Sequence, residues 1–348
     1  MNPNIHTVRN ISFSFLLILL FPIFGLLNAQ DMLPAVAADS LQISPADSLA
    51  GVENNALAQD AQEVVLPADS AVVPVPFEGY DPEVSHWQWD RALIVGGVLG
   101  TAITGIHMYQ MNAWWKDQRT SFHFLNDTEY ALNVDKAGHF FGGAVGAFLG
   151  KKSLEWSGAS KSTALWGGFA MGALFELYVE FEDGFARDWG FSPGDAAGDI
   201  LGAAWPLAQN YIPGLDQVHP KFSYFPSQAF RDGNHAGNMI DDYDGQTTWM
   251  GVHVYGLLPR AWKPYWPEWL GIAVGVSVRN MPITVDGQYI DLKPRERNIL
   301  IALDYDMTKI IPGDHWLLVA LKEGLNFIHF PSPAIRISPN FISYGLYF

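Results

Sequence analysis

The chain has 348 residues, of which 49% are hydrophobic, 14% aromatic and only 16% charged, so it is more apolar than an ordinary soluble domain. Its formal net charge of −16 argues against a nucleic-acid partner, because a phosphate backbone requires a basic surface. It has no cysteine, which excludes disulfides, a catalytic thiol and a thiolate metal site. The composition favours contact with a membrane.

The first thirty residues have the pattern of a secretory signal. Arg9 precedes the apolar run ISFSFLLILLFPIFGLL, and Asn28-Ala29-Gln30 places a small residue at a suitable cleavage point. We expect residues 1–29 to be a signal peptide and the rest to be exported, with an uncleaved anchor as the alternative. The absence of a cysteine at this point argues against a lipid-anchored mature terminus.

Residues 30–85 are expected to form a disordered acidic tether. The tripeptide Ala-Asp-Ser recurs at Ala38, Ala46 and Ala68 among several prolines, and no Lys or Arg occurs between positions 31 and 90. Such Ala/Pro-rich acidic sequence has neither a helical nor a strand period, so it cannot bury enough apolar surface to fold.

Residues 86–212 are predicted to form a helical core with small residues at spacing four, as at Gly198 and Gly202, which lets backbones approach closely. The first of four apolar segments has no charged residue and is long enough to cross a bilayer. The other three are shorter, and buried or partly inserted helices are equally compatible with them. The segments are 92–115, 137–150, 163–178 and 196–209.

Residues 213–348 are predicted to form an antiparallel β region. In WLGIAVGVSV, Leu270 and the alternate residues to Val278 form a large apolar face suited to lipid. The Gly, Ala and Ser residues between them form a face suited to packing on helices. Segments 248–258, 298–307 and 315–327 are predicted as further strands. The final ISYGLYF resembles the C-terminal signature of outer-membrane β-proteins.

The predicted fold class is therefore α+β: a glycine-rich apolar helical bundle followed by a C-terminal antiparallel sheet, associated with a membrane. Too few strands are visible for a closed structure of eight strands, so an open or helix-covered sheet is expected.

Polar residues recur four positions apart within the helical half, which places each pair on one helix face. Paired carboxylates at that spacing repel each other unless Lys136, His139, Arg187 or a bound cation neutralises them. The pairs are Asp135 with His139, Glu176 with Glu180, and Asp195 with Asp199.

One interpretation of this pattern is a site. Carboxylate and imidazole groups are suitable ligands for Zn, Mn or Ca, and carboxylates in an apolar environment can act as general acids or bases. The candidate catalytic residues are Asp135, His139, Glu176, Asp195 and Asp199. The candidate metal ligands are His139, Glu176, Glu180, Asp183, Asp195 and Asp199.

The other interpretation is structural, and the sequence leaves both open. Ser192-Pro193-Gly194-Asp195 has the pattern of a helix start, with Ser192 as the N-cap and Asp195 at the third position of a capping box. Asp135 lies in the predicted first turn of its own helix, where the macrodipole favours an acidic group.

These spaced residues resemble a known family. The order Asp135-Lys136-x-x-His139-Phe140, then Glu176 with Asp183, then Trp189-x-x-Ser192-x-x-Asp195-x-x-x-Asp199-x-x-Gly202-Ala203 is similar to the YfiM-like predicted periplasmic lipoproteins, a family with a domain of unknown function. The Asp-Lys-x-x-His opening is also similar to that of VanZ-like membrane proteins. The resemblance implies an envelope location and a helical core, and it implies no activity.

The sequence therefore predicts a membrane-associated cell-envelope protein with a structural or binding role, at the outer membrane or otherwise associated with a membrane in the periplasm. Its expected partners are the lipid bilayer and an envelope protein. The alternative is a metal-assisted hydrolase acting on lipid or cell-wall material through the His139/carboxylate cluster. A divalent metal is the cofactor considered, and no organic cofactor site is predicted.

Overall fold

The computed structural model describes residues 84–348 except 236, 238, 286 and 287. The predicted signal peptide and nearly all of the predicted tether lie outside the described residues. Helices occupy the N-terminal half of the described chain, and an antiparallel six-stranded sheet occupies the C-terminal half. The predicted α+β class is confirmed, whereas membrane association stays a prediction.

The N-terminal half consists mainly of helices joined by short loops. The last predicted segment is split into two helices, because Pro206 lacks the N–H that a continuous helix would require. The helices are α1 (Trp89–Asn112), α2 (Val134–Trp156), α3 (Lys161–Asp183), α4 (Pro193–Ala203) and α5 (Trp205–Tyr211).

Helix α2 touches α4 at the level of the backbone. A Cβ atom placed on Gly202 would lie 1.9 Å from the carbonyl oxygen of Phe140, and one on Gly143 would lie 2.3 Å from the carbonyl oxygen of Asp199. No larger residue fits at either position without separating the helices. The predicted role of small residues in close helix packing is confirmed for this pair of helices.

Helix α1 is, among the described residues, the one helix long and apolar enough to cross a membrane, and its most apolar stretch is not buried by the rest of the chain. Leu93 and Met108 are exposed, and a Cβ atom placed on Gly96 or Gly100 would meet no other atom within 4 Å. The small-residue face of α1 therefore has no partner among the described residues.

The main sheet has the strand order β1-β2-β3-β6-β7-β8 with antiparallel neighbours, and β4 and β5 form a separate hairpin. The strands are β1 (Val218–Tyr224), β2 (Gln246–Val252), β3 (Leu270–Arg279), β4 (Ile283–Val285), β5 (Gln288–Ile290), β6 (Glu296–Tyr305), β7 (Ser332–Ser338) and β8 (Ile342–Tyr347). Helices in this half are α6 (Gln228–Arg231), α7 (Val254–Leu257), α8 (Met307–Ile310) and α9 (Trp316–Leu325).

Two strand predictions need correction. The segment predicted as a strand at 315–327 is helix α9, because its Leu, Ala, Lys and Glu residues are strong helix formers. The strand predicted at 248–258 ends at Val252, after which α7 begins. Strands β1, β4, β5 and β7 were not predicted: β4 and β5 have three residues each, and β1 and β7 each contain a proline, which weakens a strand pattern.

The small residues of β3 do not pack on the helices as expected. A Cβ atom on Gly275 would lie 2.4 Å from the ring of Trp249, so the glycine makes room for this side chain on the inward face of the sheet. The inward face also holds Lys221 and Asp304, both fully buried, with Lys221 Nζ 2.8 Å from Asp304 Oδ2. The inward face of the sheet therefore combines a buried hydrophobic cluster around Trp249 with a buried ion pair.

The outward face of the sheet carries the large apolar residues. Phe141 of α2 stacks on Phe222 with ring centroids 5.3 Å apart, so the helices cover one end of this face. Farther along the same face, Val274 is 50% exposed. The rings of Phe225 and Phe348, which follow the first and last strands, lie 5.1 Å apart because the sheet is strongly curved.

Candidate functional site

Three helices bring the predicted polar residues to one end of the helical bundle. The start of α2 contributes a lysine, a histidine and an aspartate, the last two turns of α3 contribute three carboxyl groups, and the first two turns of α4 contribute two. Asp127, in the loop before α2, completes the group. We refer to it as the carboxylate cluster: Asp127, Asp135, Lys136, His139, Glu176, Glu180, Asp183, Asp195 and Asp199.

The start of α4 is capped as predicted, with Ser192 Oγ accepting a hydrogen bond from the backbone N–H of Asp195 at 3.2 Å. The second half of the expected capping box comes from another helix. The backbone N–H of Ser192 donates to Glu180 Oε2 of α3 at 3.2 Å, so the Asp195 side chain is not used as a cap. This contact joins the end of α3 to the start of α4.

Lys136 organises one side of the cluster. Its Nζ lies 2.7 Å from Asp127 Oδ2, 2.8 Å from Asp135 Oδ2 and 2.9 Å from Asp195 Oδ1. The contact with Asp135 is a hydrogen bond, and the other two are ion pairs, so one ammonium group balances parts of three carboxylates. Asp127 also accepts a hydrogen bond from Ser192 Oγ at 2.7 Å. This side has the geometry of a structural link between a loop and two helices.

His139 organises the other side. Its Nδ1 lies 3.0 Å from Asp199 Oδ1 and 3.9 Å from Glu180 Oε1, and its Nε2 lies 3.7 Å from Asp195 Oδ1. The Asp199 side chain is fully buried, whereas the His139 side chain is 28% exposed. Solvent therefore reaches this side of the cluster at the imidazole.

Glu176 and Asp183 lie at the edges of the His139 side. The carboxyl group of Glu176, a half-buried residue, lies over Gly142, where a Cβ atom would be 2.9 Å from Glu176 Oε1. The carboxylate of Asp183 accepts a hydrogen bond from the indole N–H of Trp115, just after α1. Asp183 thus links the cluster to α1, whereas the Glu176 carboxyl group is affected first by burial and then by the charges of Asp199 and His139.

Burial governs protonation in the cluster. Burial raises the pKa of Glu180 to about 8, and burial together with the charge of Asp199 raises the pKa of Glu176 to about 8. Burial raises the pKa of Asp183 and of Asp195 to about 6. Burial would lower the pKa of His139, but its hydrogen bond to Asp199 and the surrounding negative charges raise it to about 10.

The cluster contains more acidic than basic groups, with seven carboxyl groups around one lysine and one histidine. The three carboxylates around Lys136 are paired, so the excess lies around His139. Among the described residues, Asp199 Oδ2 has no hydrogen-bond partner although it is buried. A buried carboxylate oxygen without a partner is unfavourable, and protonation or a bound cation relieves it.

The donor set on the His139 side suits a divalent cation. One ligand atom each from His139, Glu180 and Asp195 lie within 4.8 Å of one another. Ligand atoms around a zinc ion lie roughly 3 to 4 Å apart at bond lengths of about 2.1 Å, so modest side-chain rotation would complete a site. A second group, Asp127, Asp135 and Asp195, also meets this distance, but Lys136 already occupies it.

Sequence reasoning missed two members of the site and misplaced one. Asp127 lies in an irregular loop and Trp115 follows the end of α1, so no periodicity relates them to the cluster. Arg187, which was predicted to neutralise the paired carboxylates, is exposed and contacts Asp188 at 3.3 Å instead. The glycine-rich turn directs its side chain to solvent, and Lys136 takes that role.

No family model matches the chain, and neither the curated proteins nor the solved structures include a match to it. The resemblance to the YfiM-like and VanZ-like families stays a prediction.

Proposed function

We propose that this protein is a membrane-associated cell-envelope protein whose carboxylate cluster binds a divalent cation on its His139 side. The observation that carries the cation proposal is the convergence of His139, Glu180 and Asp195 ligand atoms within 4.8 Å beside the unpartnered oxygen of buried Asp199. In the described residues no lysine or arginine ion pair neutralises Glu180 or Asp199. A cation would supply the missing positive charge.

Asp199 is suited to an orienting role in this site. Its hydrogen bond to His139 Nδ1 would fix the ring so that Nε2 faces Asp195 and the solvent-accessible side. A carboxylate that holds the second nitrogen of a ligating histidine is the usual support of such a site. Because metal binding requires neutral imidazole, binding is expected to release the proton that His139 carries in the metal-free protein.

Two features support the membrane part of the proposal. Helix α1 is apolar, exposed and long enough to span, and the outward face of the sheet exposes Val274, Ile337 and Leu346. A sheet whose outward face exposes apolar side chains is suited to contact with lipid. The outer membrane is the favoured location and an envelope protein the expected partner, for which Gly96 and Gly100 of α1 offer an uncovered small-residue face.

Metal content tests the cation site. Full-length protein purified in detergent, stripped with chelator and dialysed against Zn²⁺ or Mn²⁺ is expected to retain one ion per chain. The variants His139→Gln and Glu180→Gln are expected to bind it at least about tenfold more weakly, whereas Asp188→Asn, at an exposed carboxylate outside the cluster, should bind normally. Wild-type protein that retains no ion would leave only the structural interpretation of the cluster.

A second candidate function is metal-assisted hydrolysis of lipid or cell-wall material. It is favoured by Glu176, whose carboxyl group lies at the edge of the His139 side close enough for the charges of His139 and Asp199 to act on it, a position suited to proton transfer. Metal-loaded wild type would then release product from phosphatidylglycerol vesicles or purified peptidoglycan. Glu176→Gln would keep its metal and lose the activity; metal-loaded wild type without activity on either material would reject this candidate and leave the binding role.

A further inference from the structure

A cavity of about 740 Å³ opens at one end of the sheet, and the described residues that line it include no member of the carboxylate cluster. Its walls come from the segment after β1, from helix α6, from the end of β3, from the β4–β5 hairpin and its following loop, and from β8. Small-molecule sites commonly have volumes of about 300 to 1,000 Å³ and concave apolar walls with a few polar groups. The cavity has the dimensions of such a site.

Large apolar and aromatic side chains form much of the wall. Phe225 and Phe348 are in ring contact at 5.1 Å, and Tyr344 lies 4.9 Å from Tyr347 between ring centroids. Leu346, at the rim, is 63% exposed. Phe225 and Phe348 are also exposed, so the rim of the cavity presents apolar surface to its surroundings.

Cationic side chains line the same cavity. Arg279 ends β3, and its guanidinium donates a hydrogen bond to Tyr347 Oη at 2.7 Å. The guanidinium of Arg231 lies over the ring of Phe225, 5.4 Å from its centroid. Lys293 also lines the cavity. Among the residues that the structure describes, none of these three cations has a carboxylate oxygen within 4 Å.

Acidic groups in the wall do not cancel this charge at close range. Asp244 directs both carboxylate oxygens to the backbone N–H of Met281, at 3.1 and 3.3 Å, and acts on Arg279 only at a longer distance. Asp232 is exposed, just after the short helix. The guanidinium groups therefore keep N–H donors available for an anion, and guanidinium geometry suits two oxygens of one phosphate.

We propose that this cavity binds an anionic amphiphile, with a phosphate headgroup between Arg231 and Arg279 and an apolar chain along Leu346 towards the outward face of the sheet. The continuity between the aromatic wall and the exposed apolar surface favours a lipid over a free phosphate compound. This site is separate from the proposed cation site, and its occupancy does not require a metal.

Native mass spectrometry of the full chain in a neutral detergent tests the proposal. Dioleoyl phosphatidylglycerol is expected to bind, and Arg231→Gln and Arg279→Gln to weaken its binding by about tenfold or more, since each removes charge-assisted hydrogen bonds. Arg260→Gln, at an exposed arginine outside the cavity, is the matched control and should bind as wild type does. Chelator treatment should change nothing, which distinguishes this site from the cation site.

Three outcomes would overturn the proposal. They are equal binding of zwitterionic dioleoyl phosphatidylcholine, unchanged binding in both arginine variants, and full displacement of the lipid by inorganic phosphate at the same concentration, which would identify a free anion as the ligand. Because Arg279 bonds to the buried Tyr347, its variant needs a thermal-unfolding check; exposed Arg231 keeps the proposal testable if that variant does not fold. Leu346→Asn should weaken lipid binding and leave inorganic phosphate binding unaffected.

Discussion

His139 Nδ1 on α2 lies 3.0 Å from Asp199 Oδ1 on α4, although the two residues are 60 positions apart in the chain. The pair forms because α2 and α4 touch at their backbones, where Gly143 and Gly202 leave no side chain between them. The polar site and the small-residue packing are therefore one arrangement. Widening the helix contact would separate the imidazole from its carboxylate.

Substitution of Gly202 by alanine tests this dependence. The added methyl group would meet the Phe140 carbonyl oxygen, so Gly202→Ala is expected to lower the free energy of unfolding by about 1 to 3 kcal/mol. Gly138→Ala, where nothing lies within 4 Å, should be neutral or stabilising by up to about 1 kcal/mol. Denaturant unfolding in detergent measures both. Equal effects of the two substitutions would contradict close packing of α2 on α4.

Removal of the Lys136 ammonium leaves three carboxylates without their shared cation. Lys136→Met is expected to destabilise the protein by about 3 kcal/mol at neutral pH, and by less at pH 4, where Asp195 with its pKa of about 6 would be protonated. Lys161→Met, at an exposed lysine without an ion pair in the described residues, is the control. The free energy of unfolding of both variants is measured at neutral pH and at pH 4. A loss that is independent of pH would speak against the ion pairs as its cause.

The unfolding free energy of the metal-free protein is expected to fall as pH rises from about 6.5 to about 10, a range in which the buried histidines of the sheet, with their lowered pKa values, are neutral in both states. His139 has a folded pKa of about 10 against an ordinary 6.5, so its charged form stabilises the fold below 6.5 and this contribution is lost as pH approaches 10. Glu180 has a folded pKa of about 8 against an ordinary 4.5, so the folded state holds its proton longer and stability falls between these values. Both groups act in the same direction.

Urea unfolding at several pH values, with chelator present, measures the slope of the unfolding free energy against pH. Glu180→Gln should reduce the slope between pH 4.5 and 8, because glutamine has no proton to lose. Glu182→Gln, on the same helix, whose carboxylate pairs with Arg119 away from His139, is the matched control and should leave the slope intact. An unfolding free energy that rises between pH 6.5 and 10 would mean that the cluster is not buried in the way the geometry indicates.

A charge in the middle of α1 tests the proposed span. Ile103→Lys places an ammonium group near the bilayer centre, which would cost about 3 kcal/mol of insertion free energy, whereas in water the exposed position would tolerate it. Asn112→Lys, at the end of the same helix, is the control because its long side chain can reach the interface. The fraction of full-length protein that floats with phospholipid vesicles after an alkaline wash should fall for the first variant alone. Equal flotation would place α1 outside the bilayer.

Much of the candidate site could be predicted from local sequence. The four-residue spacing of Glu176 with Glu180, and of Asp195 with Asp199, places each pair on one helix face wherever the helix lies. The Ser192 cap depends only on its neighbours in the chain, and the structure bears it out. These features follow from the helical period of about 3.6 residues and from the unsatisfied N–H groups at a helix start.

Long-range contacts decide which residues of the carboxylate cluster lie on its Lys136 side and which lie on its His139 side. The sequence did not indicate that Lys136 would bind Asp127, that Arg187 would face solvent, or that Trp115 would hold Asp183. Each of these pairings joins elements that are distant in sequence or lie in irregular loops. Periodicity carries no information about which helix ends meet.

The sheet shows the same limit of prediction from sequence. The alternation in WLGIAVGVSV determined that β3 has one large apolar face and one small-residue face, because side chains alternate along any strand. Only the tertiary structure decided that the small face encloses Trp249 and the buried pair of Lys221 and Asp304, rather than packing on the helices. Sequence pattern determines which residues share a face; the curvature of the sheet and the packing of its neighbours decide what each face meets.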